Sequence, residues 1–192
     1  MRKPSDPVSS FTAVAKQRLQ RNGRMHPISF IGFMGAGKTT WGKRLARGLN
    51  IPFVDLDSYI ETKEAKTISQ LFEQYGEASF RHTEATALRE LLHNSPIVLS
   101  TGGGTPCFTD NLTWLKEKST VIYLKADAAT LANRLQKNYL QRPLLKHLPP
   151  DKLEGFIEEK LAEREPYYSQ AHAIVNVIGL TVERLEAAAH SR

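Results

Sequence analysis

Cysteine is nearly missing from this chain of 192 residues, which contains only Cys107. A single cysteine excludes an intramolecular disulfide framework and a zinc site built on cysteines. A lone thiol suits a reducing compartment, so we expect a cytoplasmic protein. Long hydrophobic runs are also lacking, because no apolar stretch approaches the about 20 residues that a membrane-spanning helix needs. We therefore expect no association with a membrane.

Acidic residues are scarce in residues 1–25, which contain one acid, Asp6, and six basic residues. This segment carries five of the six net positive charges of the chain, so the remainder is nearly neutral. A basic surface for nucleic acid is therefore not expected. The segment has no continuous apolar core, which excludes a secretory signal. We interpret it as a disordered extension or an upstream start with Met25 as an alternative, and its Arg- and Ser-rich composition leaves an organelle transit peptide open.

A glycine-rich segment, ISFIGFMGAGKTT at residues 28–40, follows the pattern G-x4-G-K-T. Its glycines let the backbone wrap around an anion, while Lys38 reaches the outer phosphates and the Thr39 hydroxyl suits Mg²⁺. An apolar run precedes the loop and a helical spacing follows it, which is the strand-loop-helix context that this motif needs. The segment predicts a nucleotide phosphate site. Its predicted contact residues are Gly35, Ala36, Gly37, Lys38, Thr39 and Thr40.

Strands and helices alternate along the rest of the chain. Apolar, buried-type strands are predicted at residues 52–56, 97–100, 120–125 and 173–178. A first helix is predicted after the phosphate loop, where Trp41, Leu45 and Leu49 have a helical spacing. Further helices are predicted from about Ser58, at residues 69–75, 78–93, around 128–136 and at 181–190. Another follows Asp151, its candidate cap, and runs to about Ser169 with a possible break near Pro166. Residues 138–150 fit no period and predict a mobile loop. The alternation predicts one α/β domain over residues 26–192, with a parallel sheet covered on both faces.

Two acids, Asp55 and Asp57, stand where the second predicted strand ends. The strand at residues 97–100 runs into Thr101 and three glycines without an acid. Since a nucleotide-dependent phosphotransferase needs an acid near its metal, Asp55 and Asp57 are the candidates to organise the metal or the acceptor. Capping of the following helix is the structural alternative for Asp57.

Six segments, taken in order and spacing, resemble the shikimate kinase family over about residues 28–178. They are GFMGAGKTT, FVDLD, GEASFR at 76–81, GGG at 102–104, RPLL at 142–145 and EREPYY at 163–168. The resemblance implies transfer of the γ-phosphoryl group of ATP to the 3-hydroxyl of shikimate, giving shikimate 3-phosphate and ADP on the route to chorismate and the aromatic amino acids.

The same resemblance implies a fold and partners. The fold is the three-layer P-loop fold of nucleoside monophosphate kinases, with a five-stranded parallel sheet in the order 2-3-1-4-5. A substrate-binding region at about residues 58–94 and a mobile lid at about 138–150 belong to it. ATP and shikimate are the implied small-molecule partners, Mg²⁺ is the implied cofactor, and a monomer is the implied state.

Residue roles on the nucleotide side follow from the resemblance. Thr39 corresponds to a Mg²⁺ ligand, and Asp55 to an acid that holds the metal through water. Arg142, in the lid, closes over the phosphates and neutralises charge on the transferred group. Arg134 resembles an arginine that packs on the adenine, with a solvated surface position as its alternative.

Roles on the acceptor side are implied in the same way. Asp57 corresponds to a residue that binds the acceptor hydroxyls and is proposed as base, which makes Lys38, Asp57 and Arg142 the catalytic set. Arg81 and Arg164 match two arginines that bind the shikimate carboxylate, for which a planar fork is suited, and Glu84 is placed to orient Arg81. Surface ion pairs are their alternative. Gly103 and Gly104 match residues whose backbone contacts the acceptor, with a plain turn as the alternative. Phe72 and Phe80 match apolar walls of the acceptor pocket, with core positions as the alternative.

Two other functions remain open at this point. One is another small-molecule kinase of the same fold, acting on gluconate or a nucleoside monophosphate. The other is a non-catalytic nucleotide-binding module, which the presence of Lys38, Asp57 and Arg142 disfavours.

Overall fold

A computed structural model describes residues 26–93, 96–136 and 148–191. The predicted extension at 1–25 and most of the predicted lid, with Arg142, lie outside the described residues. The strands are β1 (Ile28–Ile31), β2 (Phe53–Asp55), β3 (Val98–Ser100), β4 (Thr120–Lys125) and β5 (Ala173–Asn176). The helices are α1 (Lys38–Leu49), α2 (Leu56–Glu64), α3 (Ile68–Leu91), α4 (Asn111–Lys118), α5 (Ala128–Leu135), α6 (Leu153–Tyr168) and α7 (Val182–Ala189).

The strands form one five-stranded sheet in the order β2-β3-β1-β4-β5, with every pair parallel. This confirms the predicted order. The register places Asp55 of β2 opposite Ser100 of β3, and Ser100 opposite Phe30 of β1. The carboxyl ends of these strands therefore meet at one edge, next to the loop that follows β1. Ligand crevices of open α/β sheets form at such an edge.

Both faces of the sheet are buried under helices. In β4, Ile122 and Leu124 belong to one apolar cluster, whereas Val121 and Tyr123 belong to another. Neighbouring strand residues point to opposite faces, so this division assigns one cluster to each side of the sheet. The first cluster includes residues of α1, α5, α6 and α7, and the second includes residues of α2, α3 and α4. The predicted three-layer arrangement is thus confirmed.

Local backbone preferences explain several boundaries. Helix α1 ends where Asn50 turns left-handed at φ 54°. Helix α3 begins at a capping box in which Thr67 and Gln70 bond to each other's backbone. The two helices predicted at 69–75 and 78–93 are the two arms of α3, which kinks at Gly76 (φ 76°, ψ 170°).

Two local predictions were wrong. Asp151 does not cap α6, because it lies in a 3-10 turn (Pro150–Lys152) and Lys152 occupies the cap position without a side-chain bond. Pro166 does not break α6, which continues to Tyr168. The structural alternative for Asp57 is not observed, because Asp55 caps α2 by accepting a bond from the backbone N–H of Ser58 at 3.4 Å. A 3-10 turn (Thr105–Cys107) and α4 were not predicted.

Candidate active site

The phosphate loop lies between β1 and α1, as predicted. Gly32, Gly35 and Gly37 have φ angles of 133°, 83° and 94°, a region that side chains other than glycine rarely adopt. A Cβ atom on Gly32 would also lie 2.8 Å from the Leu124 carbonyl oxygen. The glycines therefore allow a backbone path that β4 closely confines.

Lys38 begins α1 and is 8 % exposed. Its ammonium donates to the carbonyl oxygens of Gly32 at 2.7 Å and Phe33 at 3.0 Å. Burial of a charge is costly unless it is hydrogen-bonded, and the loop's own carbonyls provide such bonds. The positive charge is thereby held inside the loop that the sequence predicts to bind phosphates.

A crevice of about 350 Å³ opens at the carboxyl edge of the sheet. The phosphate loop and the start of α1, the ends of β2 and β3, and helix α5 all line it. The lining residues are Met34, Gly35, Gly37, Lys38, Thr39, Thr40, Asp55, Asp57, Ser100, Thr101, Gly102, Gly103, Arg134 and Leu135. The crevice thus collects most of the predicted nucleotide-side residues and joins them to Asp57 and Gly103.

Oxygen atoms of three residues converge beside the phosphate loop. The Thr39 hydroxyl donates to Asp55 Oδ2 at 2.8 Å and lies 3.5 Å from Ser100 Oγ. Hydroxyl and carboxylate oxygens are the ligands that Mg²⁺ prefers. The pair predicted for the metal is therefore in contact, and Ser100 is an addition that the sequence did not assign.

The environment of Asp57 disfavours its charged form. Burial, followed by the charges of Asp55 and Glu84, raises the pKa of Asp57 from its ordinary 3.8 to about 6, while the Lys38 charge opposes the shift. Asp57 is therefore a carboxylate near neutral pH, with more affinity for a proton than an exposed aspartate has.

The raised pKa of Asp57 predicts how stability depends on pH in the nucleotide-free protein. A carboxyl whose pKa rises on folding contributes stability that is present below its unfolded pKa, near 3.8, and is lost as pH rises through about 6. The raised pKa corresponds to at most about 3 kcal/mol of folding stability lost at pH 7.5. Because Asp57→Asn removes this loss, we expect it to raise the Tm at pH 7.5 by about 5 °C. Thermal melts at pH 4 and 7.5 check this, since the gain should vanish at pH 4. An equal gain at both values would contradict it.

Arg81 is held in a dense set of contacts on α3. Its guanidinium donates to Glu84 at 3.0 Å and to Glu77 at 3.0 and 3.2 Å, and it lies 3.9 Å from the ring centroid of Phe108. Glu84 is 1 % exposed and also accepts a bond from the Thr105 hydroxyl at 2.6 Å. Glu84 therefore orients Arg81 as predicted, whereas Phe108 and Thr105 were missed because they lie in the turn after GGG, where no period guides a prediction.

The glycines after β3 separate the two predicted carboxylate-binding arginines. A Cβ atom on Gly103 would lie 3.4 Å from Arg164 Nη1, and one on Gly104 would lie 3.1 Å from Arg81 Nη2. Residues of α3 and α6 that are far apart in sequence thus meet at one short loop. Two guanidinium groups on either side of such a turn are suited to binding one carboxylate.

Two further aromatic residues lie near Arg81. Phe72 and Phe80 stack on each other with centroids 4.5 Å apart, and Arg81 lies over both rings. Phe80 is 3 % exposed and belongs to the core, whereas Phe72 is only partly buried. The core position offered as an alternative therefore fits Phe80 better than Phe72.

Arg134 lies along the phosphate loop. Its guanidinium donates to the carbonyl oxygens of Gly35 at 3.3 Å and Ala36 at 3.4 Å. These contacts tie α5 to the loop, so the residue is more than a solvated surface position. Contact of Arg134 with an adenine stays a prediction.

The parallel sheet, the glycine-lysine-threonine loop at its carboxyl edge and the adjacent acids define a P-loop phosphotransferase of the nucleoside monophosphate kinase type. The shikimate kinase family profile matches residues 34–187, and the chain belongs to that family. A shikimate kinase of Bacteroides fragilis is 47 % identical over 147 residues, which are 77 % of this chain and 82 % of the relative. One of Bacteroides thetaiotaomicron is 44 % identical over 149 residues, 78 % of this chain and 85 % of the relative.

Solved structures agree with this assignment. A shikimate kinase structure from Bacteroides thetaiotaomicron has a TM-score of 0.81 at 41 % identity and covers 85 % of this chain and 98 % of its own. One from Acinetobacter baumannii in complex with shikimate has a TM-score of 0.74 at 35 % identity, with coverages of 83 % and 86 %. A gluconokinase from Sinorhizobium meliloti, at 17 % identity and a TM-score of 0.55, shares the fold alone. Among the described residues, no helix is both long and apolar enough to span a bilayer.

Proposed function

We propose that the crevice at the carboxyl edge of the sheet is where this family member transfers the γ-phosphoryl group of ATP to the 3-hydroxyl of shikimate. The hydroxyl oxygen forms a bond to phosphorus, the bond to the ADP oxygen breaks, and the hydroxyl proton is released. One observation carries the assignment: Asp57 lies between a phosphate loop and a glycine turn that faces two arginines. A polyhydroxylated carboxylate fits such a combination.

Residues of the phosphate loop and α1 bind the nucleotide in this proposal. Backbone groups at residues 35–40 surround the phosphates, and Lys38 places its ammonium against the oxygens that gain charge. Arg134 supports the loop from α5 and reaches toward the base. Arg142 adds a second positive charge when the predicted lid at 138–150 closes, which is a role outside the described residues.

A magnesium ion fits beside Thr39 and Asp55. Their oxygen atoms are 2.8 Å apart, and the described residues hold no cluster of three or more His, Cys, Asp or Glu side chains that could hold a metal. A site with few protein ligands suits Mg²⁺, which keeps waters and binds substrate phosphates. When bound, the ion would neutralise phosphate charge. Thr39 would ligate it and Asp55 would orient its water.

The acceptor is bound on the other side of the crevice. Arg81 and Arg164 bind the carboxylate. Because Gly103 and Gly104 have no side chains, they leave room for it next to the two guanidinium groups. Asp57 accepts a hydrogen bond from the hydroxyl that attacks. Because the transition state of phosphoryl transfer is loose, Asp57 contributes more by orienting this hydroxyl than by early removal of its proton.

A single domain over residues 26–192, acting as a monomer in the cytoplasm, completes the proposal. Helices α2 and α3, at about residues 58–94, serve as the acceptor-binding region.

The direct test is formation of ADP by the purified protein with ATP and Mg²⁺, measured with shikimate, gluconate, AMP or no acceptor. Turnover with shikimate alone is expected. Turnover with gluconate or AMP would retain the phosphate chemistry but overturn the roles of Arg81 and Arg164. If no acceptor stimulates ADP formation, the result would favour a non-catalytic nucleotide-binding module.

Arg164→Lys tests the carboxylate site. Lysine keeps the charge but loses the planar fork, so we expect the KM for shikimate to rise at least about tenfold while the KM for ATP stays within about twofold. Initial rates at varied concentrations of each substrate provide both constants. Arg184→Lys, on α7 outside the crevice, is the control and should leave both constants unchanged. Equal increases in both constants for Arg164→Lys would indicate general damage instead.

A further inference from the structure

Tyr168 is the last residue of α6 and has no exposed surface. Its hydroxyl donates a hydrogen bond of 2.5 Å to the carbonyl oxygen of Gly103. Burial raises the pKa of Tyr168 above its ordinary range, although the Arg164 charge opposes the shift. The phenol is therefore protonated and can serve as a donor.

Helix α6 contacts the glycine turn with two side chains. Arg164 and Tyr168 are four residues apart, so they share one face of the helix. Arg164 Nη1 would lie 3.4 Å from a Cβ on Gly103, whereas Tyr168 holds the Gly103 carbonyl. The Tyr168 ring is itself fixed against the ring of Tyr123, with centroids 5.0 Å apart.

The bond from Tyr168 determines the orientation of one peptide unit. In a planar trans peptide the carbonyl oxygen and the following N–H point in opposite directions. Since Tyr168 holds the Gly103 oxygen, the Gly104 N–H is directed away from Tyr168. Glycine has wide conformational freedom, so neither residue would hold this orientation by its own preference. A partly buried carbonyl that loses its donor would also cost free energy.

We propose that Tyr168 is a positioning residue for the acceptor: it locks the Gly103–Gly104 peptide against Arg164 so that both meet one carboxylate-bearing substrate. The inference rests on the proposed function of the crevice. Tyr168 does not touch the reacting atoms. Its hydroxyl sets the distance between a backbone segment and a guanidinium that belong to different elements, and its ring contributes packing separately.

Tyr168→Phe separates the hydroxyl from the ring, because phenylalanine keeps the packing against Tyr123. We expect the KM for shikimate to rise about tenfold, the effect of one buried hydrogen bond, while the KM for ATP stays within about twofold. Calorimetry should show unchanged affinity for ADP. Saturating ADP also stabilises the folded state by mass action, which keeps a weakened variant available for measurement of shikimate binding.

Two other tyrosines provide matched controls. Tyr167→Phe removes a hydroxyl from the neighbouring residue, which is 40 % exposed. Tyr123→Phe removes a hydroxyl that donates to Glu165 at 2.8 Å, rather than to the glycine turn. Both variants should keep the wild-type KM for shikimate, although Tyr123→Phe should lower the Tm.

The results decide between positioning and simple packing. A wild-type KM for shikimate in Tyr168→Phe would overturn the inference, as would equal increases in both KM values or an equal effect of Tyr123→Phe. If the wild-type protein phosphorylates a different acceptor, the proposed function fails. The inference is then judged by the KM of Tyr168→Phe for that acceptor.

Discussion

Lys38→Ala is expected to lower kcat by about a hundredfold to a thousandfold, the range seen when a group that stabilises transition-state charge is removed. The ammonium is almost fully buried and is bonded to two loop carbonyls at 2.7 and 3.0 Å. The substitution removes the positive charge that the proposed function places against the transferred phosphoryl group, and it also takes one donor from each of those carbonyls. ADP formation at saturating ATP and shikimate measures the loss.

Lys43→Ala is the matched control for this experiment. Lys43 lies five residues later on the same helix, is exposed, and has its ammonium 5.8 Å from the ring centroid of Phe53. The substitution removes the same charge from α1 without touching the crevice, so kcat should stay within about twofold. Near-normal turnover by Lys38→Ala would contradict the assignment of the phosphate loop. Thermal melts of both variants test whether unfolding causes a loss of turnover.

Asp57→Asn is expected to retain ADP binding and lose phosphoryl transfer by about a hundredfold or more, as for removal of a positioned acid-base group. Asparagine is close in size to aspartate, so the crevice keeps its shape. It lacks the negative charge and cannot receive the hydroxyl proton. Calorimetry with ADP and single-turnover measurement of shikimate phosphorylation separate binding from transfer.

Glu64→Gln is the control for Asp57→Asn. Glu64 is the exposed last residue of α2, the helix that also carries Asp57, so the same charge is removed outside the crevice. Turnover by this variant should equal that of the wild-type protein. Loss of ADP binding in Asp57→Asn would show that the carboxylate supports the nucleotide side, contrary to its proposed acceptor-side role.

The alternation of apolar strands with helices predicted most of the fold, because each buried strand has a strong hydrophobic signal. Helix α4 was missed, although Leu112 and Leu115 are buried on it. Its buried residues, Asn111, Leu112 and Leu115, form only a short apolar pattern, and the preceding Thr105–Cys107 turn has no period that marks where the helix begins. The strand order was predicted from the resemblance to a family. Hydrophobic patterning alone indicates which strands are buried, but it does not determine which strands lie next to each other in the sheet.

The predicted capping by Asp151 shows a similar limit. An aspartate before a helical period is a common cap, but the chain forms a 3-10 turn there and α6 starts at Leu153. At the other end of the helix, Pro166 stays within α6. Boundaries of this kind depend on how the whole helix packs, and the buried Leu153, Ile157 and Tyr168 contribute that packing.

By itself the sequence determined the phosphate loop and the nucleotide chemistry. All parts of the phosphate loop lie within residues 28–40, so local backbone freedom at the glycines, a preceding strand and a following helix suffice to form it. Only the tertiary structure decided the acceptor side. Arg81, the Gly103–Gly104 turn and Arg164 meet because burial of both sheet faces brings α3, the turn after β3 and α6 together. Tyr168 likewise bonds to a residue 65 positions away. Contacts at such separation depend on the order of the strands and the packing of the layers, which no local pattern contains.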